Sequence, residues 1–257
     1  TEKDLEYINN KGLTIEQVEK QIALFKSGIP FTKIVEAATV GNGILKLNDK
    51  QTEEVISYFE KNKDELSLLK FVPASGAASR MFKFLFQFLA DYNPKETALD
   101  TFIKEQNAKD ITRFLDGLEQ FPFYKQVLEQ FEAQGIQYSE LSEGEKAWHF
   151  VNTMLDENQL NFGDQPKGLL PFHHYDANTI STAFEEHLYE GALYASSNNK
   201  AKLHFTISEQ HDAGFHDEFK RVKDKVEAET GVFFEVSFSY QQESTDTIAV
   251  TPEDVPF

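Results

Sequence analysis

The sequence predicts an α/β protein with a parallel core, preceded by short helices and interrupted by a helical insertion. Three observations predict it. First, the β-rich runs Ala201-Lys-Leu-His-Phe-Thr-Ile-Ser208 and Val232-Phe-Phe-Glu-Val-Ser-Phe-Ser-Tyr240 flank a charged helical stretch, residues 214–230, closed by Gly231. Strand, helix, strand is the order of a βαβ unit, whose two strands run parallel through a right-handed crossover. Second, Leu66-Ser-Leu-Leu-Lys-Phe-Val72 reads as a strand entering a turn of small residues, with an apolar helix behind it. Third, residues 94–160 carry helical spacing and no strand pattern.

Each element has a local reason. Thr14-Ile-Glu-Gln17 is a capping-box pattern ahead of Val18, Ile22 and Leu24-Phe25 at helical spacing. A second helix is expected over residues 32–38. A third has Asn48 or Asp49 as N-cap, with Val55, Ile56, Tyr58 and Phe59 on one side. Met81-Phe-Lys-Phe-Leu-Phe-Gln-Phe-Leu-Ala90 is apolar nearly all round, the pattern of a helix buried between layers. Residues 180–195 are expected to be helical, and Gly231 is placed to end the 214–230 helix. The chain then divides into an N-terminal helical region (1–66), the first strand, loop and buried helix (67–93), a helical insertion (94–160) and the remainder of the α/β core (161–257).

Composition bounds the function. The chain has 257 residues, enough for a core without covalent staples. It has no cysteine, which excludes disulfide scaffolds, thiolate zinc sites and cysteine nucleophiles. Twenty-five Lys+Arg against 43 Asp+Glu give a formal charge of −18. Such a field repels phosphate backbones and anionic lipid, so neither nucleic acid nor a membrane is an expected partner. A small anion can still be held by a local loop. No apolar run reaches the roughly 18 residues of a membrane span. The opening residues do not form a signal peptide, and a cytoplasmic location is expected. The chain lacks an initiator Met and stops at Thr-Pro-Glu-Asp-Val-Pro-Phe without a cap, as expected of a piece of a longer protein.

The most informative stretch is Val72-Pro-Ala-Ser-Gly-Ala-Ala-Ser-Arg80-Met81. A strand ends, small residues follow, and an arginine stands where a helix begins. Small residues let backbone N–H groups approach a ligand. A helix N-terminus adds partial positive charge, and a guanidinium fork fits phosphate oxygens. The stretch is neither a Walker loop nor a dinucleotide fingerprint. The same residues would also serve a tight strand-to-helix turn with a surface arginine.

Aligned on that arginine, Pro73-Ala-Ser-Gly-Ala-Ala-Ser-Arg80-Met81 resembles the Leu-Ala-Gly-Gly-x-Gly-Thr-Arg-Met/Leu loop of nucleotidyltransferases that make nucleotide-sugars. Gly76 and the hydroxyl of Ser79 are kept, while Ser75 and Ala78 replace two glycines. Pro166-Lys167-Gly-Leu-Leu-Pro-Phe172 resembles the element whose lysine meets substrate phosphate. Phe205-Thr-Ile-Ser-Glu-Gln-His211 resembles the second core strand of UDP-sugar pyrophosphorylases, and Phe238-Ser-Tyr-Gln241-Gln242 the strand end that contacts uracil. More narrowly, the chain resembles the N-terminal half of the bacterial domain-of-unknown-function family 4301. The departure is the separation of Arg80 from Lys167 by the whole helical insertion.

The resemblance implies a Rossmann-like nucleotide-diphospho-sugar transferase core, incomplete here. It implies transfer of a nucleotidyl group from a nucleoside triphosphate, UTP favoured, to a sugar 1-phosphate. Ser75, Gly76, Ala77, Ala78 and Ser79 would cradle phosphate. Arg80 would hold the leaving pyrophosphate, Lys167 would bridge the attacking and transferred phosphates, and Gln241 or Gln242 would read the base. Mg²⁺ is implied, with ligands outside this chain. Two other readings stand beside this one: a binding module for nucleotide or sugar phosphate without catalysis, and a helical interaction protein whose loop is only structural.

Other polar residues are weaker candidates. His173 and His174 are adjacent, so they point apart on regular structure and do not share a metal. With Tyr175 and Asp176 they read as a loop near Lys167. His211 is a candidate at the site rim and His216 a surface residue. Glu209 stands either at a strand end where ligands gather or as an acid at a helix start. Asp246 reads as a turn residue.

Overall fold

The computed structural model describes every residue except 177, 178, 243, 245, 254, 256 and 257, and every side chain of those except that of Asp176. The expectation for the chain's last residues falls partly on 254, 256 and 257, outside the described residues. The fold is mixed α/β and divides into two compact units, Thr1–Lys63 with Tyr240–Phe257, and Asp64–Ser239.

The first unit holds α1 (Glu2–Asn10), α2 (Ile15–Ser27), the two-residue strands β1 (Thr39–Val40) and β2 (Gly43–Ile44), and α3 (Asp49–Asn62). All three helices open on reciprocal capping boxes, at Thr1 with Asp4, Thr14 with Gln17 and Asn48 with Gln51. Each box satisfies two N–H groups that the first turn leaves open.

Residues 32–38 are not helical. Gly28 ends α2 at φ +75°, and Pro30 follows. Phe31, Ile34 and Val35 are almost fully exposed, so no packed face compensates a short helix of β-branched residues. Val55, Ile56 and Tyr58 of α3 are likewise exposed. The apolar side expected of that helix is not a buried one.

The second unit begins with β3 (Lys70–Pro73) and α4 (Lys83–Asp91). The helical insertion follows as α5 (Leu99–Glu105), α6 (Lys109–Asp116), α7 (Tyr124–Ala133) and α8 (Glu143–Leu155). Then come β4 (His173–Asp176), β5 (Thr179–Ser181), α9 (Ala183–Tyr194), β6 (Ser196–Ser197), β7 (Lys200–Ile207), α10 (Asp212–Thr230) and β8 (Phe233–Tyr240).

Two expectations shift here. The helix expected over 180–195 starts only at Ala183, because the Thr182 side chain caps it by accepting the Glu185 N–H at 3.1 Å. Ile180 instead pairs with His174 in the β4–β5 hairpin, so His173 and His174 lie on a strand rather than in a loop. The apolar helix behind the first strand buries Leu85 and Phe88, whereas Met81 and Phe86 are about 40% exposed. It covers one side rather than lying between two layers.

β3 and β7 run parallel, with Lys70 opposite Leu203 and Pro73 opposite Thr206. β8 pairs the other edge of β7. Lys202 meets Glu235 and His204 meets Ser237 and Ser239, so contacts rise together along both strands, as in a parallel pair. Gly231 caps α10 at φ +70° and lets the chain turn into β8.

Along β7, Ala201, Leu203, Phe205 and Ile207 are buried while Lys200 and Lys202 are exposed. That alternation belongs to a sheet packed on one face, here against α9 and α10. The sheet therefore does not have the two covered faces of a doubly wound sheet.

Two apolar clusters support this unit. One joins α4–α8 through Leu85, Phe88, Val127, Phe131, Phe150 and Met154. The other joins the sheet to α9 and α10 through Val72, Phe184, Leu203, Phe205, Phe215 and Val222. The loop after β3 spans both, since Val72 belongs to the sheet cluster and Ala78 to the helical one.

Candidate functional site

The loop after β3 is stitched to the segment that follows the insertion. The Ala74 N–H donates to Thr206 O at 2.8 Å, extending the ladder past the end of β3. Ala77 then bridges Pro166, Ala78 N–H donates to Gln165 O at 3.1 Å, and Lys167 N–H donates to Gly76 O at 3.1 Å. The Ser208 hydroxyl, at the end of β7, donates to Ser75 O at 3.4 Å. The insertion thus folds away, and Lys167 is brought against the loop by backbone bonds.

Beside this stitch lies a cleft of about 180 Å³. Ala74, Gly76, Lys167, Gly168, His187 and Phe215 are among the residues that line it. It sits at the C-terminal ends of β3 and β7, where open parallel sheets gather ligands. Gly168 is close to Phe215: a Cβ there would stand 3.1 Å from Cε1 of that ring.

The expected site residues separate into groups. Gly76 and Lys167 share the cleft. Ala78 is corrected: its N–H is spent on Gln165 and its methyl is fully buried, so it offers no amide to a phosphate. Arg80 is also displaced from its expected place. Ala78 O accepts the Met81 and Phe82 N–H groups, a tight turn precedes α4, and the helix begins three residues after Arg80. Ser75, Ala77, Ser79 and Arg80 border the loop without lining the cleft. Gln241 and Gln242 are exposed and belong to the other unit, where the Gln241 amide reaches Asp246 Oδ1 at 3.5 Å.

Among the described residues, neither Lys167 nor Arg80 has an ion-pair partner. Among the described residues Lys83, Lys104, Lys109 and Arg113 have none either, whereas some cations of the unit are neutralised. Lys225 meets the buried Glu185 at 2.8 Å, and Arg221 meets both Glu185 and Glu218.

No carboxylate lines the cleft, and among the described residues no group of three or more His, Asp or Glu could hold a metal ion. A magnesium ion needs oxygen ligands, so these residues do not fit one. His211 stands just before α10, and the His216 ring lies 4.6 Å from that of Phe238 at a tilt of 48° while Nδ1 donates to Asp212 O.

Sequence reasoning missed three residues. Lys70 Nζ, from β3, donates to Glu190 of α9 and, at 3.1 Å, to the His187 carbonyl. Glu190 also accepts from His187 Nδ1 at 3.0 Å and from the Tyr194 hydroxyl at 3.1 Å. Chiefly through Lys70, the Glu190 carboxyl is pulled down to about 2. The available signal was His187-x-x-Glu190, a spacing that puts both side chains on one helix face.

The family model of a domain of unknown function, DUF4301, matches residues 1–257. The chain belongs to this family. No curated protein and no solved structure matches it. For this DUF4301 chain, any reading of function therefore starts from the cleft. Among the described residues no helix is long and apolar enough to cross a membrane.

Proposed function

We propose that the Asp64–Ser239 unit holds the phosphate-bearing end of a ligand between Gly76 and Lys167. In this reading the chain is the nucleotide-binding part of a protein similar to nucleotidyltransferases. The full activity would pass a nucleotidyl group from a nucleoside triphosphate, UTP favoured, to a sugar 1-phosphate, with the parallel β3–β7–β8 sheet as the core that carries the loop. The observation that carries it is the backbone stitch that sets Lys167, which has no ion-pair partner among the described residues, beside a small-residue loop at the C-terminal end of a parallel strand.

The chemistry asked of these residues is modest. Lys167 neutralises phosphate oxygens as a point charge, and the small side chains near Gly76 permit close approach. Nucleotidyl transfer depends mainly on position and on charge stabilisation. A cleft of about 180 Å³ takes one phosphate with part of its neighbour, so a longer ligand extends beyond it. Magnesium ligands, in this reading, are supplied from outside this chain.

A second reading is favoured by specific observations. The spent Ala78 amide, the place of Arg80 outside the cleft and the lack of a carboxylate suit a binding module without turnover.

Calorimetric titration of UTP and glucose 1-phosphate into the wild-type chain and Lys167→Ala tests the binding. Losing a charged hydrogen-bond partner costs about 1.5–3 kcal/mol, so affinity should fall roughly 10- to 100-fold. Equal affinity in both chains removes Lys167 from the site. Pyrophosphate release from UTP and glucose 1-phosphate separates the two readings, since only the first allows it.

A further inference from the structure

His187 lies one turn into α9 and faces the same cleft as Gly76 and Lys167. Its ring is oriented by a chain of hydrogen bonds. Nδ1 is 3.0 Å from Glu190, and Glu190 is itself fixed by Lys70 and by Tyr194. The Lys70 side chain is only 9% exposed and also bonds the His187 carbonyl, so one buried ammonium fixes both the carboxylate and the helix turn that carries the imidazole. Lys70 comes from β3, the strand that leads into the loop. The ring and the loop are therefore positioned by one element.

This arrangement decides which nitrogen is free. Glu190 is ionised and only accepts hydrogen bonds, so His187 Nδ1 must carry the proton it donates. In the neutral ring the other nitrogen, Nε2, is then an acceptor, and among the described residues it has no hydrogen-bond partner. The cleft is thus lined by Lys167, which supplies positive charge, and by His187, which supplies an acceptor, while the rings of Phe184 and Phe205 that border it are buried. By volume the space equals roughly six waters at about 30 Å³ each.

We propose that His187 Nε2 accepts a hydrogen bond from a hydroxyl of the ligand whose phosphate Lys167 holds. The substrate class is then a sugar or polyol phosphate, with a hydroxyl close to the phosphate. Bare phosphate, which fills only the Lys167 end, is the weaker ligand. This inference rests on the phosphate-binding reading above and adds a specificity-determining residue to it. Glu190 and Lys70 act through His187 as positioning residues.

The test compares glucose 1-phosphate with inorganic phosphate, each titrated at pH 8 into the full chain and into His187→Phe and Glu190→Gln. His187→Phe should weaken glucose 1-phosphate about tenfold and leave inorganic phosphate within twofold. Lys70, His187 and Tyr194 all meet the same oxygen of Glu190, so Glu190→Gln keeps an acceptor for Nδ1 there and should leave the preference for glucose 1-phosphate within about twofold. Imidazole ¹⁵N spectra should show the proton on Nδ1 in the wild type and in Glu190→Gln. An unchanged affinity ratio in His187→Phe, while Lys167→Ala still weakens both ligands, overturns this inference alone. A wild-type spectrum with the proton on Nε2 also overturns it. Failure of the wild-type chain to bind either ligand overturns both this inference and the reading beneath it.

Discussion

The Lys167 N–H donates to the Gly76 carbonyl at 3.1 Å, tying the segment after the helical insertion to the loop before it. The bond is made by backbone, so the lysine side chain is left over from the fold. That leads to a separation of roles. Lys167→Ala should keep its melting behaviour, within about 0.5 kcal/mol as for ordinary exposed positions, while losing anion affinity. Thermal unfolding beside calorimetry on one preparation checks both halves. A large stability loss would mean that the side chain, and not its N–H, holds the loop.

Gly168→Ala should behave in the opposite way. The added methyl meets Phe215 at 3.1–3.3 Å, and Phe215 is fully buried in the sheet cluster, so the ring must shift to admit it. Overpacking of this kind costs about 1–3 kcal/mol. Denaturant unfolding measures it. An unchanged midpoint would show that the Phe215 ring is free to move.

Acid should weaken the Lys70–Glu190–His187 network in a defined window. The folded Glu190 carboxyl is lowered to about 2, first by its hydrogen bond from Lys70, from an ordinary value of 4.5. A lowered folded value means stability that is complete above the ordinary one and lost as pH falls through the folded one. The stability difference between wild type and Glu190→Gln should be constant above about pH 5.5 and shrink between about pH 4.5 and 2. A difference that grows over that window contradicts the network. Glu190 is 46% exposed, so solvent screening keeps the effect small.

Glu185 is buried with its carboxylate on Lys225 and Arg221, whose side chains are about half exposed. Removing both cations strands a buried charge, a loss of about 3–5 kcal/mol. Glu185→Gln should cost less, because the two cations regain water. Chemical unfolding of Glu185→Gln beside the double variant Arg221→Ala with Lys225→Ala checks the order, and the reverse order would refute it.

Legibility differed by the range of the interactions. The β7–α10–β8 unit could be read because its period changes and Gly231 are local. The capping box at Thr14 was readable for the same reason, and the N-cap of α3 was narrowed to Asn48 or Asp49, of which Asn48 is the cap. Residues 32–38 misled because their apolar spacing is helical, yet nothing buries Ile34 or Val35. Burial of a face, not spacing, stabilises a helix this short. The site was legible in part. Composition singles out the small residues and Lys167 as candidates, but no local rule shows that Ala78 N–H goes to Gln165 or that Lys70 reaches Glu190. Those are long-range pairings, fixed only once the sheet and the helical cluster have formed.

The most direct measurement is a crystal structure of the chain grown with UTP. The account predicts a phosphate in the cleft beside Gly76, with an oxygen within about 2.7–3.2 Å of Lys167 Nζ. A nucleotide bound elsewhere, with Lys167 extended into solvent and the cleft empty, would contradict it.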